Sequence, residues 1–310
     1  MKEHDSASAY QNTRGSVVTI GTFDGVHLGH KALLERLIQT AREEHLDSVL
    51  LTFYPHPRMV VQKNSDLKLL HTLSEKKQRL EQLGLDHLVV QPFTKRFSRL
   101  TADEYVTEVL VDQLNAKKII IGYDHRFGRN RTANIDDLRE FGAQLGFEVE
   151  EIDAQQLDEV SVSSTKIRKA LEIGDITTAN NYLGYPYSLQ GTVVRGKGIG
   201  KTLNYPTANL QITDPVKLIP ANGVYVTASM IDGQRVFGLT SIGTNPTVGG
   251  EDVTIETYFM DVDSDLYDLP LELQFLTHIR DEENFPSVTE LKEAIQNDEK
   301  FARAYLQDHV

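Results

Sequence analysis

The chain contains no cysteine and no tryptophan, and none of its apolar runs is long. The absence of cysteine excludes disulfides, thiolate metal sites and cysteine nucleophiles. No stretch approaches the roughly 18 apolar residues that a membrane helix needs, and residues 1–14 are polar, without the apolar core of a signal peptide. We therefore expect a cytoplasmic protein without a membrane partner.

Positive charge is also scarce. The 310 residues carry 32 basic and 45 acidic side chains, for a net charge of −13. The imbalance is greatest over 187–310, where 9 basic residues face 18 acidic ones. This balance argues against a nucleic-acid partner, so any anionic ligand must meet positive charge that is concentrated locally. The composition leaves weak self-association open.

The first half of the chain alternates apolar, strand-like segments with amphipathic, helix-like segments. Such alternation is typical of an α/β fold with a parallel, doubly wound sheet. Residues 1–14 have neither pattern, and we expect them to be a flexible start. The predicted strands cover 17–21, 48–53, 87–91 and 117–122, and the predicted helices cover about 30–46, 74–83 (capped by Ser74), 101–115 and 134–145.

After about residue 187 the pattern changes to closely spaced β-type segments, which favour an antiparallel barrel or sandwich. A helix with a capping box at Ser287–Glu290 ends the chain. The length and this change predict two domains, 1–186 and 187–310, with the boundary near 184–188. The predicted strands of the second domain cover 188–195, 223–231, 234–242, 254–261 and 271–279.

The most informative segment is GTFDGVHLGH, residues 21–30, between the first predicted strand and helix. Unpaired amides and the helix dipole make such a helix start a phosphate site. Gly25 and Gly29 let the backbone approach a phosphate, and the i, i+3 spacing puts His27 and His30 on one side. Two histidines on a helix are often incidental, but the glycine-rich turn after a strand favours phosphate chemistry. The segment resembles the nucleotidyltransferase superfamily, whose members attack the α-phosphate of ATP.

Three further segments of the first half carry candidate site residues. TFYPHPR (52–58) holds His56 between two prolines, and IGYDHRFGRNR (121–131) gathers three arginines around an aromatic ring. SVSSTKIRK (161–169) combines hydroxyls, basic side chains and a predicted helix start. Each of these segments alone is also compatible with an ordinary ordered or basic loop.

Together, in this order and spacing, the four segments resemble the adenylyltransferase domain of prokaryotic-type FAD synthetases over nearly all of residues 15–186. The resemblance implies that His27 and His30 stabilise the ATP phosphates and that Arg168 helps to hold the departing pyrophosphate. His125 stands where the family more often has an aromatic residue. The implied nucleotide-binding residues are Gly21, Phe23, Asp24, Gly29, Ser163, Ser164 and Thr165, and the implied flavin-binding residues are His56, Asp124 and Phe127.

In the second half, RGKGIGKT (195–202) suggests a Walker P-loop but fails its rule. Position 195 is arginine instead of glycine, and Pro206 arrives too soon for the long helix that should follow. A glycine-rich loop can still bind phosphates through its amides. The segment NYPTAN (204–209) offers oxygen ligands suited to Mg²⁺ at Thr207 and Asn209. Period-two alternation puts Glu256 on the strand face opposite Ile255, as a salt-bridge partner or a general base.

The series PTAN, GVY, IGTNPT and IET, after a glycine-rich loop, resembles the riboflavin kinase domain from about residue 187 to the terminal helix. The resemblance implies a six-stranded antiparallel barrel, Mg²⁺ bound by Thr207 and Asn209, and Glu256 as the base. It also places Arg280 on the flavin side. Asn204 replaces the family's usual glycine, and asparagine tolerates positive φ better than most residues. The implied ATP-binding residues of the loop are Gly196, Lys197, Gly198 and Gly200.

We therefore expect a bifunctional enzyme that uses ATP and Mg²⁺ to convert riboflavin to FMN and then FMN to FAD. One alternative is a nucleotidyltransferase for another phosphorylated acceptor, which the neighbouring kinase motifs disfavour. A second alternative is a flavin-binding regulator that has lost catalysis. The retention of His27, His30, Thr207, Asn209 and Glu256 disfavours it.

Overall fold

A computed structural model describes residues 1–11, 13–62, 65–122, 125–152, 162–196, 200, 204–247, 250–262 and 264–309, without the side chains of 245–247 and 250–252. The chain forms two compact units, Met1–Ser164 and Thr165–Val310. This division lies earlier than the predicted boundary, so the helices before residue 187 group with the barrel. The assignment of the two activities to 1–186 and 187–310 stays a prediction.

The amino-terminal unit contains a six-stranded, fully parallel sheet in the order β1-β4-β3-β2-β5-β6. This confirms the predicted parallel sheet. The expectation of a flexible start is wrong, because β1 pairs with His87–Val89 and extends the sheet edge. The strands are Lys2–His4 (β1), Ser16–Ile20 (β2), Asp47–Tyr54 (β3), His87–Pro92 (β4), Ala116–Gly122 (β5) and Glu148–Ile152 (β6).

The helices between these strands follow the predicted positions, with two differences. Thr72, not Ser74, caps the helix at 73–82, because its hydroxyl accepts the Glu75 amide. The helix predicted over 101–115 begins as one α-helical turn and continues as a π-helix, Tyr105–Gln113, in which the Leu114 amide bonds five residues back. The α-helices of this unit are Leu28–Glu43 (α1), Pro57–Val61 (α2), Leu73–Gln82 (α3), Ala102–Glu104 (α4) and Ile135–Leu145 (α5), and 3₁₀ turns lie at Ala7–Ala9, Phe97–Arg99 and Arg129–Arg131.

Both faces of the sheet are buried, as a doubly wound fold requires. On β2, Val17 packs with Leu34 and the rest of the apolar stripe of α1. The next residue, Val18, points to the opposite face and joins the cluster around Val106 of the π-helix. The chain runs from β2 outward to β3 and β4, then returns across β2 to β5. The turn after β2 therefore lies at the topological switch point, where such sheets bind ligands.

The second unit contains a closed barrel of six antiparallel strands in the order β10-β11-β8-β7-β12-β9. This confirms the predicted barrel. The four residues of β8 were too few to show alternation in the sequence. The strands are Ser188–Val194 (β7), Ala208–Gln211 (β8), Gly223–Ile231 (β9), Gln234–Thr247 (β10), Gly250–Phe259 (β11) and Pro270–Arg280 (β12).

Over the parts of the second unit whose helix bounds the structure describes, three α-helices accompany the barrel. These are Ser164–Glu172 (α6), whose first residue belongs to the amino-terminal unit, Ile176–Leu183 (α7) and the terminal Val288–His309 (α8). Ala302 and Ile295 of α8 pack on Leu239 and Met260, outside the barrel. Ser287 caps α8 through the Glu290 amide, as predicted. Asn204 has φ +66°, the left-handed conformation that asparagine tolerates.

Within the described part of the chain, every helix is too short or too polar to cross a lipid bilayer.

A chain of three fully buried threonines ties β9, β10 and β11 together inside the barrel. The Thr240 hydroxyl lies 2.8 Å from the hydroxyls of both Thr227 and Thr257. Thr227 also has a long bond of 3.4 Å to the Gly238 carbonyl. Because buried hydroxyls are costly when unpaired, the central member should matter more than either end.

We predict that Thr240→Val destabilises the barrel by about 1–3 kcal/mol, since it removes both hydroxyl contacts and strands Thr257. Thr257→Val is the matched control, because Thr240 keeps its bond to Thr227, and it should cost less. Thermal unfolding of the three proteins measures the difference. If the two variants lose equal stability, or if Thr257→Val loses more, then the Thr240 hydroxyl is not the most important of the three.

Candidate active sites

The two histidines of the glycine-rich motif lie together at the start of α1. Their rings stack at a centroid distance of 3.7 Å and an angle of 17°, as the i, i+3 spacing predicts. His27 is the N-cap, and its Nδ1 accepts the His30 amide at 3.4 Å. This contact puts the proton of the neutral His27 ring on Nε2, so that Nε2 is a hydrogen-bond donor. The pair can thus offer a donor beside the open amides of a helix start.

The preceding turn is shaped by backbone that departs from ordinary conformations. Phe23 and Gly25 have φ of +47° and +85°. The Phe23 ring is buried and lies 4.6 Å from the His30 ring, on which it packs. A side chain at Gly21 would meet the Phe23 ring at 2.9 Å, which explains the glycine there. Gly29 lies in the first turn of α1, next to the His27 ring.

Asp24, predicted to bind nucleotide, is 2% exposed, and its carboxylate accepts backbone amides. The Leu70 amide lies 3.0 and 3.1 Å from its two oxygens, and the His71 amide lies 3.2 Å from one of them. The Asp24 carbonyl accepts the Ser164 hydroxyl at 2.8 Å. Asp24 therefore fixes the turn to two distant segments of the same unit. A direct role toward nucleotide stays a prediction.

Both histidines are neutral at pH 7 in the free protein. Burial lowers the pKa of His27 to about 4, although the charge of Asp24 opposes the shift. Burial also lowers the pKa of His30 well below its usual value, and the neighbouring His27, Lys76 and His71 add to the effect. Among the described residues, the buried His30 Nδ1 atom has no hydrogen-bond partner. The free histidine pair thus carries no charge of its own and offers neutral ring nitrogens to a phosphate chain.

Lys76 is a site residue that sequence reasoning missed. It is 8% exposed, and its ammonium donates to the Thr22 carbonyl in the turn at 2.7 Å. The available signal was its position four residues before Leu80 on the buried face of α3, where a lysine is unusual.

The other predicted residues of the first half occupy several separate elements. His56 caps α2 by accepting the Arg58 amide at 3.2 Å. Phe127 is 6% exposed and belongs to the core cluster beside the π-helix, and its ring stacks on the His125 ring at 6.1 Å. The predicted flavin contact of Phe127 is therefore limited to the small part of the ring that remains accessible. Asp124 lies outside the described residues.

The remaining predicted residues of the first half surround the start of α6. Ser164 begins the helix, Ser163 precedes it and Thr165 follows in its first turn. Arg168, one turn further on, is 9% exposed. The contacts of these residues with phosphate stay a prediction.

A second group of predicted site residues lies on and beside neighbouring strands of the barrel. Glu256 of β11 pairs directly with Asn209 of β8. The Thr207 hydroxyl donates to Glu256 Oε2 at 3.0 Å. Glu256 is half-buried while Ile255 and Thr257 are buried, which confirms the predicted alternation. The structure thus brings the predicted base and the predicted metal ligands together.

Two glycines of the glycine-rich segment, Gly196 and Gly200, lie close to the same residues. A side chain at Gly196 would clash with the Asn209 amide, and one at Gly200 would clash with the Tyr205 carbonyl and approach Thr207. Glycine is needed at both ends of the loop for this approach. Lys197 and Gly198, predicted ATP contacts, lie outside the described residues.

Arg280 is held by the terminal helix. Its guanidinium donates to the buried Asp298 carboxylate in three hydrogen bonds of 2.9–3.2 Å. It also lies over the Phe285 ring at 5.4 Å. A nearby amide, Asn222 Nδ2, bonds to Glu282 at 3.0 Å and so anchors the segment after β12. On the side away from Asp298, the Arg280 Nη1 donates to the Asp281 carbonyl at 3.1 Å, and the flavin contact by Arg280 stays a prediction.

The barrel site fits Mg²⁺ by the chemistry of its donors. Thr207 supplies a hydroxyl oxygen and Asn209 an amide oxygen, both hard ligands, beside a carboxylate. Over the described residues there is no cluster of three or more histidine, cysteine or acidic side chains that could hold a metal alone. A magnesium ion with few protein ligands normally completes its shell with water and substrate phosphates.

Comparisons with known proteins agree with both sites. The family model described as FAD synthetase matches residues 9–166, and the model described as riboflavin kinase matches residues 183–306. The bifunctional riboflavin kinase/FMN adenylyltransferase of Escherichia coli K12 is 35% identical over 97% of this chain and 96% of that protein. The chain belongs to this bifunctional family. The family predicted from the sequence is thereby confirmed.

Two further similarities extend over the whole chain. The bifunctional riboflavin kinase/FMN adenylyltransferase of Pseudomonas fluorescens is 37% identical over 94% of this chain and 93% of that one. A crystal structure described as a macrolide-efflux protein from Streptococcus pneumoniae has a TM-score of 0.90 at 30% identity, covering 97% of this chain and 98% of that chain. Both domains are thus shared in full with known relatives.

The buried His27 should make the amino-terminal unit less stable in acid. Its pKa of about 4 lies below the value of about 6.5 in an unfolded chain, so the unfolded state takes up the proton first. The contribution is fully present above about pH 6.5 and is lost as the pH falls toward 4. The His27→Asn variant keeps an N-cap acceptor but has no imidazole to protonate. Between pH 7 and pH 5 we expect its free energy of unfolding to fall by about 2 kcal/mol less than that of the wild type.

Calorimetric unfolding at the two pH values measures the stability difference, and an NMR titration of the imidazoles reports the pKa directly. His45→Asn, in the exposed turn after α1, is the control and should behave like the wild type. A His27 midpoint near 6.5, or equal acid losses in all three proteins, would show that the ring is not desolvated.

Proposed function

We propose that the histidine site at the start of α1 transfers AMP from ATP to FMN, and that the barrel site around Glu256 phosphorylates riboflavin. The observation that carries this assignment is that the histidine pair and the group around Glu256 lie in separate compact units. The histidine pair lies within the residues matched by the FAD synthetase model, and Glu256 lies within those matched by the riboflavin kinase model. The chain thereby makes FMN from riboflavin and FAD from FMN, and ATP, riboflavin and FMN are its small-molecule substrates.

In the proposed adenylyl transfer, a phosphate oxygen of FMN attacks the α-phosphorus of ATP. The bond from that phosphorus to the bridging oxygen breaks, and pyrophosphate leaves. The reaction needs no protein nucleophile, so the protein contributes position and charge. The open amides of α1 and the Nε2 donor of His27 face the reacting phosphates, and His30 supports them.

Bound ATP changes the protonation of the pair. Phosphate charge raises the pKa of a neighbouring imidazole, and stacked rings 3.7 Å apart disfavour two adjacent positive charges. We therefore infer that the pair takes up at most one proton when ATP binds. Ser163, Ser164, Thr165 and Arg168 are proposed to hold the β- and γ-phosphates, and Gly21, Phe23, Asp24 and Gly29 are proposed to shape the nucleotide site.

In the proposed kinase reaction, Glu256 accepts the proton of the riboflavin 5′-hydroxyl. The 5′-oxygen of riboflavin attacks the γ-phosphorus of ATP, the bond from that phosphorus to the bridging oxygen breaks, and ADP leaves. The hydrogen bond from Thr207 occupies Oε2 and so orients the carboxylate, which leaves Oε1 as the proton acceptor. Thr207 and Asn209 would hold Mg²⁺, which neutralises charge on the phosphates when bound. Gly196, Lys197, Gly198 and Gly200 are proposed to contact ATP.

The flavin contacts are proposed from the resemblance and from position. His56, Asp124 and Phe127 would serve FMN in the first site, and Arg280 would serve riboflavin in the barrel. The cytoplasmic location, the absence of nucleic-acid and membrane partners, and the weak self-association remain predictions.

Glu256→Gln should lower the riboflavin kinase kcat by about 10²–10⁴-fold, because it removes the proton acceptor while keeping the shape. Adenylylation of added FMN by the same protein should stay at the wild-type rate. Chromatographic time courses with riboflavin or with FMN measure the two steps separately. Glu272→Gln, a half-buried glutamate on β12, is the matched control, and equal kinase losses in both variants would refute the assignment.

His30→Ala should lower FMN adenylylation by about 10²–10³-fold and leave riboflavin phosphorylation unchanged. The variant should accumulate FMN from riboflavin, and pyrophosphate release should fall in parallel. His45→Asn again serves as the control. Wild-type protein that binds flavin but yields neither FMN nor pyrophosphate would instead identify a regulator without catalysis.

A further inference from the structure

A buried lysine lies next to the proposed adenylylation site without a role in the mechanism described above. Lys76, in the first turn of α3, is 8% exposed. Its ammonium donates to the carbonyl of Thr22, which belongs to the turn between β2 and α1. α3 thereby contacts the backbone that leads directly into the histidine pair.

Among the described residues, the ionisable groups that interact with this ammonium include one carboxylate and one histidine of the turn and α1. The carboxylate of Asp24 faces it with opposite charge, and His30 lies within range of its field. His27 and His71 complete the ionisable groups that interact with Asp24 or His30 there. Burial lowers the pKa of Lys76 to about 8, although Asp24 opposes the shift, so the ammonium is mostly charged at pH 7.

A buried charge of this kind is a poor way to stabilise a fold. Desolvation of an ammonium costs several kcal/mol, and an apolar side chain in such a place is often equally or more stable. Asp24 already has three hydrogen bonds from backbone amides, so it does not need Lys76 to satisfy its oxygens. The polyphosphate of ATP carries several negative charges, and a buried positive charge near its site would favour its binding.

We propose that Lys76 is a positioning residue for adenylyl transfer, which fixes the Thr22 carbonyl and places a buried positive charge beside the histidine pair. This inference rests on the proposed function of that pair. The lysine acts through the turn and through its field, and it contacts neither substrate nor the reacting phosphorus. It binds the turn in its charged form, so deprotonation of the ammonium removes the positive charge and weakens the hydrogen bond to the Thr22 carbonyl.

The first test is the pH profile of kcat/KM for FMN adenylylation, which reports groups of the free enzyme. We expect the wild-type rate to fall above about pH 8, whereas riboflavin phosphorylation by the same protein should lack this fall. Lys76→Arg keeps its charge at all these pH values and should move the fall to higher pH. A wild-type profile without this fall, or the same fall in both reactions, would overturn the proposal.

The second test removes the charge. Lys76→Met should lower kcat/KM for adenylylation by about 10- to 100-fold at pH 7 and leave the kinase rate unchanged. Lys77→Met is the matched control, because Lys77 is the next residue of α3 and its ion pair is with Glu3 instead. If Lys76→Met lowers the melting temperature but keeps the adenylylation rate within twofold of wild type, the residue is merely structural and the proposal fails.

His30→Ala, measured in parallel, separates this proposal from the one on which it rests. Loss of adenylylation in His30→Ala but not in Lys76→Met would reject the role of the lysine alone. Retention of adenylylation in His30→Ala would reject the histidine site itself, whatever the lysine variant does. The kinase rate of each protein reports whether its barrel remains intact.

Discussion

The amino-terminal site depends on the buried carboxylate of Asp24. The chain runs from β2 into a turn whose backbone has positive φ at three residues, Phe23, Gly25 and Val26, and this conformation needs support from outside the turn. Asp24 supplies that support by accepting the amides of Leu70 and His71, while its own carbonyl accepts the hydroxyl of Ser164. The start of α1, with His27 and His30, is therefore fixed by one residue that contacts two distant segments of the sequence, Leu70–His71 through its carboxylate and Ser164 through its carbonyl.

In the barrel, the candidate base is held in position by a strand and not by a turn. Its candidate base lies on a strand, where period-two alternation and closed hydrogen bonding set the direction of each side chain. Thr207 and Asn209 come from the adjacent strand and the loop before it, and the bond from Thr207 orients the carboxylate. In both units a hydrogen bond holds a candidate catalytic side chain, His27 in the first and Glu256 in the second. In both units glycine residues also allow the backbone to lie close to the candidate site.

Much of this arrangement could be predicted because it depends on local periodicity. The contact between His27 and His30 follows from helical spacing, the face of Glu256 follows from alternation, and positive φ at Asn204 follows from its side chain. The burial of Lys76 and the bonds of Asp24 could not be predicted, because their partners lie 46 to 54 residues away in the sequence. No local pattern reports such a pairing.

The same limit explains the places where prediction and structure differ. The strand Lys2–His4 is three polar residues long and exists because β4 offers an edge to pair with. Phe127 packs in the core next to the π-helix, a contact that its loop-like local sequence does not indicate, and its flavin contact stays a prediction. In each case a tertiary contact decides the outcome, and the local sequence is compatible with more than one.

The central claim is that one chain carries two chemically distinct sites, and that the FMN formed at one site is the substrate of the other. The most direct measurement mixes the Glu256→Gln and His30→Ala proteins with riboflavin, ATP and Mg²⁺ and follows the flavins by chromatography. Neither variant alone should convert riboflavin to FAD at more than a residual rate, whereas the mixture should form FMN on one protein and FAD on the other. If the mixture forms no more FAD than the separate proteins, although each retains its remaining activity, the two sites are not independent and the account is wrong.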